Sequence, residues 1–231
     1  MLNVSEHRKI LIQILKDIYT DTSIASYLGF KGGTACLLFH GLDRFSVDLD
    51  FDLLDVKQQK LVFGKVEKIL LNYGKLKDKR EKRYNLFFLL EYYGKVLTNP
   101  NIKVEFNIRN FNSKYEILNF LGISMQVMTK EDILAHKLVA MYERINKANR
   151  DIYDVYFFLN KRWTPNKTII ETRTNMKYKD FIVQAIKQLE KVDNRQIVSG
   201  LGELLNDKQK IWVKNKLLQE TVFLLKMQNE A

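Results

Sequence analysis

The chain has 231 residues, 46% hydrophobic and 28% charged, with only 2 prolines and 10 glycines. These proportions exclude a disordered, collagen-like or low-complexity protein and supply enough apolar surface for one large domain or two small ones. Lys and Arg total 38 against 27 for Asp and Glu, and the net charge of +11 favours a polyanionic partner such as nucleic acid, a solubility role being the plain alternative. A single cysteine, Cys36, leaves no intramolecular disulfide and no zinc site built on several thiolates. No apolar run approaches the roughly 18 residues of a membrane span. The N-terminal stretch carries charges every few residues and no small-residue cleavage site, so a signal peptide is not expected. A cytoplasmic protein with no membrane partner is the expectation.

In chain order, residues 6–20 place Ile10, Leu11, Ile14, Leu15 and Ile18 on one helical face. Leu28–Gly33 reads as a strand ending at a glycine pair, and Thr34–His40 as a short helix closed by Gly41. Over Arg44–Leu54, Val47, Leu49, Phe51 and Leu53 alternate with Asp48, Asp50 and Asp52, the period of a strand with one apolar and one acidic face. A helix is predicted over 57–73. The run 75–83 holds six basic and two acidic side chains and reads as an exposed turn or loop. Strands are predicted at Tyr84–Tyr93 and Ile102–Ile108, the second with Lys103, Glu105 and Asn107 on its polar face. Thr129-Lys-Glu-Asp132 approximates a capping box. Helical periods then dominate at 130–147, 151–160, 177–191 and 207–228. A boundary near 129 therefore separates a mixed lobe, 1–129, from a mainly helical region, 130–231. The fold class is α+β (α/β), a mixed sheet flanked by helices.

Several residues carry candidate chemistry. Asp48 and Asp50, at i and i+2 of a strand, share a face and repel unless a cation lies between them. Mg²⁺ typically takes one or two carboxylates plus substrate phosphates. A solvent-facing strand edge explains the same spacing. Lys31-Gly-Gly-Thr34 lets a backbone approach a phosphate at a helix N-terminus, yet it matches neither the P-loop nor G-x-G-x-x-G. Glu105 completes a three-carboxylate cluster if its strand lies beside 47–53, and is otherwise a surface Glu. Lys137 either covers the apolar stripe of its helix or offers a point charge to a phosphate. Asp151 and Asp154 open the next helix, where they also complement its dipole. The basic run 75–83 is either a nucleic-acid contact or a solvated loop.

In combination, Phe30–Ala35, Arg44–Phe51, the helix around Lys137 and Arg150–Asp154 resemble the AbiEii-type nucleotidyltransferases, toxin components of certain toxin–antitoxin and phage-defence systems. The resemblance spans about residues 30–158. It implies a nucleotidyltransferase-fold lobe followed by helices, NTP as substrate and Mg²⁺ or Mn²⁺ as cofactor. It implies that Gly32, Gly33 and Ser46 lie near the triphosphate, with Lys31 and Thr34 flanking them. It implies Asp48 and Asp50 as metal-binding carboxylates, Lys137 as the essential helix lysine and Asp151 as the essential acid. Glu105 falls where many nucleotidyltransferases carry a third strand carboxylate, as metal ligand or base. The implied reaction is transfer of NMP to an acceptor hydroxyl, RNA such as a tRNA 3′ end, with a cognate antitoxin as a further partner. An inactive binding protein on the same fold, and NMP transfer to a protein or small molecule, are the alternatives.

Overall fold

The computed structural model describes residues 3–93 and 101–230. They divide into one unit of Met1–Asn110 and Tyr115–Met128 and a second of Phe111–Lys114 and Thr129–Ala231.

In the first unit, helix α1 (Val4–Thr20) starts where the Asn3 side chain accepts the Glu6 amide. Strand β1 (Leu28–Lys31) runs directly into α2 (Gly32–Phe39). Then follow β2 (Leu49–Leu53), α3 (Gln59–Leu71), β3 (Gly74–Glu81), β4 (Asn85–Tyr92), β5 (Asn101–Asn107), β6 (Tyr115–Phe120) and β7 (Ile123–Met128). The seven strands form one mixed sheet in the order β3-β4-β5-β2-β1-β7-β6. Pairs β2–β5 and β1–β7 are parallel, the others antiparallel.

Period-two alternation sends Phe30, Phe51, Phe88 and Phe106 to one face, where they are fully buried with Ile14 and Leu15 of α1 and Val62 and Val66 of α3. The rings of Phe51 and Phe106 stack at 4.8 Å. That packing fixes the register that sets Asp50 beside Glu105 and Asp52 beside Asn107 on the opposite face.

In this unit two expectations change and one hairpin is added. The run 75–83 is no loop, because Gly74–Glu81 forms edge strand β3, bulged between Leu76 and Asp78. Backbone pairing needs no apolar side chains, and a lysine-rich strand suits an edge that must not recruit another. The strand expected over 44–54 pairs only over Leu49–Leu53, leaving 45–48 irregular. The hairpin β6–β7 was not signalled by any strong alternation. Its turn, Leu121-Gly122, has φ of 51° and 81°, the doubly left-handed pair that suits a two-residue hairpin.

The second unit is built from α4 (Lys130–Glu143), α5 (Asn149–Asn160), α6 (Lys167–Thr174), α7 (Tyr178–Leu189) and α8 (Asp207–Glu230). The helix expected to reach 147 stops at Glu143, and Asn146 turns left-handed at φ 63°. The capping box does not form, since Thr129 makes no side-chain cap. Asp132 instead accepts the Lys114 amide at 2.6 Å and the Asn166 side chain at 2.7 Å. Helix α6 had no clear signature. Among the described residues no helix is long and apolar enough to cross a membrane.

Candidate active site

The first unit's polar face converges on the corner between β1 and α2. Gly32 has φ +77°, and a Cβ there would lie 2.4 Å from Asp50 Oδ2. A Cβ on Gly33 would lie 2.7 Å from Ser46 Oγ and 3.2 Å from an Arg44 guanidinium nitrogen. The two glycines therefore let the first turn of α2 lie directly against Asp50 and Ser46. The N-cap residue Lys31 makes no side-chain cap, and the leading amides of a helix suit an anion. The Lys31 ammonium is drawn to Asp52 at 2.6 Å, and Asp52 also accepts from Asn107 and Tyr115, each at 2.6 Å. Gly32→Ala should lose about 1–3 kcal/mol through the left-handed backbone alone. Urea unfolding checks this, and an unchanged midpoint would show that alanine takes the left-handed backbone without strain.

Asp48, Asp50 and Glu105 do come together, around a cation. Lys103 Nζ lies 3.1 Å from Glu105 Oε2, 3.6 Å from Asp50 Oδ1 and 3.9 Å from Asp48 Oδ2. Lys103 and Glu105 share a face of β5 by period two, and β2 lies alongside. Asn85 on β4 donates to the other Glu105 oxygen at 2.6 Å. Burial alone would lower the Lys103 pKa, but Asp50, Asp48 and Glu105 outweigh it and hold the ammonium above its ordinary value. Burial likewise favours the neutral acid at Glu105, and Lys103 and Asn85 reverse this, keeping its carboxyl below the usual range. Glu105 is thus an engaged, ionised carboxylate and a weak base near neutral pH.

Asp48 and Asp50 fit a hard divalent cation, because both direct oxygens at one shared cationic position. Among the described residues no three His, Cys, Asp or Glu side chains are grouped to hold a metal by themselves. The donor set offered is this pair, which matches a metal that draws its other ligands from substrate phosphates and water.

Asp48 lies outside the strand and is held by side chains from elsewhere. Thr34 Oγ1 lies 2.5 Å from the Asp48 carbonyl and 3.0 Å from Ser46 Oγ. His7 of α1, 1% exposed, contacts the Val47 carbonyl through Nε2 at 3.0 Å. A carbonyl only accepts, so Nε2 carries the proton, and Nδ1 accepts from the Tyr92 hydroxyl at 3.1 Å. His7 was invisible in the sequence, since nothing local links it to residue 47.

Burial lowers the His7 pKa more than the Val47 contact raises it. As pH falls, the unfolded chain therefore protonates first. The stability contributed by the neutral ring is complete above about pH 6.5 and declines as pH falls through the lower folded-state value. His7→Gln keeps a donor but does not titrate. The fall in urea midpoint between pH 7 and pH 5 should be shallower in this variant, and equal slopes would refute the assignment.

The second unit gathers the other candidates. Lys137 of α4 reaches Asp154 Oδ2 at 2.5 Å and Asp151 Oδ1 at 3.8 Å. Asp151 and Asp154 lie three residues apart on the buried face of α5, 1% and 0% exposed. Arg144 reaches the other Asp151 oxygen at 2.8 Å. Neither Asp151 oxygen has a well-aligned hydrogen bond, so charge holds it. Arg144 is an addition to the residues the sequence singled out, and Asp154, which the sequence offered beside Asp151, is the nearer partner of Lys137. The i, i+3 spacing on an apolar helix was the available signal for Asp154.

Residues 13–211 match the family described as "Nucleotidyl transferase AbiEii toxin, Type IV TA system". The chain belongs to the AbiEii nucleotidyltransferase toxin family. It is thus a nucleotidyltransferase of the type IV toxin–antitoxin class. Its fold is similar to that of an H. pylori protein assigned as a nucleotidyltransferase, with TM-score 0.64 and 22% identity over 100% of this chain and 96% of that one. JHP933 from Helicobacter pylori gives TM-score 0.62 and 22% identity, over 100% and 93%. MenT4, a nucleotidyltransferase toxin from Mycobacterium tuberculosis, gives TM-score 0.61 and 18% identity, over 96% and 83%. No curated protein sequence matches the chain. In this AbiEii-family protein, Lys31, Gly32, Gly33, Thr34, Ser46, Asp48, Asp50 and Glu105 lie in the first unit, and Lys137 and Asp151 in the second.

Proposed function

We propose that this AbiEii-family toxin transfers a nucleoside monophosphate from an NTP to an RNA hydroxyl, in a divalent-metal-dependent reaction in the cytoplasm. The observation that carries this reading is the close approach of Asp50 to Gly32 at the start of α2, with Asp48 tethered by Thr34 of the same turn and both carboxylates directed at one cation. The acceptor oxygen forms a bond to the α-phosphorus, the bond from that phosphorus to the pyrophosphate oxygen breaks, and the hydroxyl proton passes to solvent. A divalent cation held by Asp48 and Asp50 supplies positive charge beside the phosphate oxygens. The α2 amides and the Ser46 hydroxyl orient those oxygens. Glu105, whose two oxygens are taken by Asn85 and Lys103, acts as an anchor in place of a third ligand. Lys137, which the family resemblance implies as essential, is held in the second unit by Asp154 and Asp151.

The acceptor is read as RNA from the net charge and from one patch, and a tRNA 3′ end comes first because the family resemblance implies it. Beside the basic run, the half-exposed Tyr84 ring lies under the guanidinium groups of Arg83 and Arg109, at 5.1 and 5.9 Å. An aromatic ring among cations suits an unpaired base. A cognate antitoxin and a place in phage defence follow from the family reading.

The test is label transfer. The protein is incubated with each α-labelled NTP, Mg²⁺ or Mn²⁺ and total cellular RNA, with Asp48→Ala alongside. Label on tRNA-sized RNA from the wild type alone is expected. Label on protein or a small molecule would overturn the acceptor, and equal labelling by Asp48→Ala would overturn the site.

A further inference from the structure

Lys103 has no part in the chemistry above, yet it lies at the centre of the acidic cluster. Its bonding is uneven. It donates a hydrogen bond to Glu105 at 3.1 Å, while Asp50 and Asp48, at 3.6 and 3.9 Å, are held by charge alone. Withdrawal from the aspartates therefore breaks no hydrogen bond. The pivot stays in place, because Glu105 is two residues along the same strand and its far oxygen is pinned by Asn85 at 2.6 Å. The Lys103 side chain is 28% exposed, so its ammonium has solvent to move into.

We propose that Lys103 is a resident cation, which holds the place of the divalent metal between Asp48 and Asp50 and swings back onto Glu105 when the metal binds. This rests on the metal-dependent reading of the same site. Three carboxylates and one ammonium leave two net negative charges, enough to draw a divalent ion but not to hold it tightly while Lys103 remains between them. The conformer competent for metal is then a fraction of the population, and the apparent affinity is reduced by that fraction. An incoming triphosphate offers the displaced ammonium a new partner. Metal and NTP therefore bind with positive coupling, each strengthening the other. Lys103 is a positioning residue, whose effect is exerted through the aspartates.

The experiment is Mn²⁺ titration followed by electron paramagnetic resonance, with and without NTP, on the wild type, Lys103→Met, Lys103→Arg and the Asp48→Asn/Asp50→Asn double variant. Without nucleotide, Lys103→Met should bind Mn²⁺ about tenfold more tightly than wild type, and the NTP-induced gain should shrink by a similar factor. Lys103→Arg retains a cation and should stay within a few-fold of wild type. Equal or weaker Mn²⁺ affinity in Lys103→Met would overturn the proposal. Mn²⁺ binding undiminished in the double aspartate variant would overturn the metal-site reading itself, a separate outcome. If Lys103→Met does not fold, the wild type still decides. The ¹⁵N resonance of the Lys103 ammonium should shift on Mg²⁺ addition without nucleotide, and an unmoved resonance would refute displacement.

Discussion

Asp50→Asn should reduce nucleotidyl transfer by about 10³-fold or more while leaving the protein folded. The substitution keeps shape and removes charge. Asp50 takes part in the sheet through its backbone, paired with Lys31 on one side and Glu105 on the other, and those ladders do not depend on the carboxylate. The side chain is 30% exposed and pairs with Lys103, which keeps Glu105 as a partner after the change. The unfolding free energy from urea melts should therefore change by less than about 1 kcal/mol, as for most partly exposed polar sites. Asp52, two residues on, is a useful contrast. It is 7% exposed and accepts from Lys31, Asn107 and Tyr115, so Asp52→Asn should cost stability as well. Transfer assays paired with urea melts separate the two. Near-normal transfer by a folded Asp50→Asn protein would remove Asp50 from the metal site.

Lys137→Met should have the largest effect on stability. The ammonium lies 2.5 Å from Asp154, which is fully buried, and 3.8 Å from Asp151, which is 1% exposed. Removing it takes away the cation 2.5 Å from the fully buried Asp154 carboxylate, and breaking a buried pair from one side typically costs about 3–5 kcal/mol. Arg144 still faces Asp151 after the change. Adding Asp154→Asn to Lys137→Met should return much of the loss, because the pair is then removed together. A loss under about 1 kcal/mol would mean that water reaches Asp154 once the lysine is gone. Activity should fall in both variants, which separates a requirement for the ammonium itself from a requirement for a folded helical unit.

Much of the fold was legible because its signals are local. The alternation around Phe51 and Phe106 survives as the stacked centre of the sheet, and the acidic residues between them share a face as their spacing required. The Gly32-Gly33 pair was legible as a close approach, although only the fold reveals that Asp50 and Ser46 fill the space. Strand β3 was misread because its pairing is made by backbone atoms, while its side chains follow the rules of an exposed edge. His7 and Arg144 left no trace, since their roles arise from partners forty and seven residues away, with no periodicity to tie them together. Lys103 was visible on the polar face of its strand. Its position among three carboxylates depends on which strand lies next to β5, and register between distant strands is set by packing.

The two aspartates belong to different mechanical regimes. Asp50 is part of a hydrogen-bonded ladder and shares the rigidity of the central sheet. Asp48 ends a short irregular stretch tethered by Thr34 and His7. Local openings of so small a tether need far less free energy than unfolding of the sheet. Amide hydrogen exchange should accordingly be faster over 45–48 than over 49–53. The spacing between the two carboxylates can then adjust to a nucleotide in microseconds to milliseconds, with one jaw fixed and the other sprung.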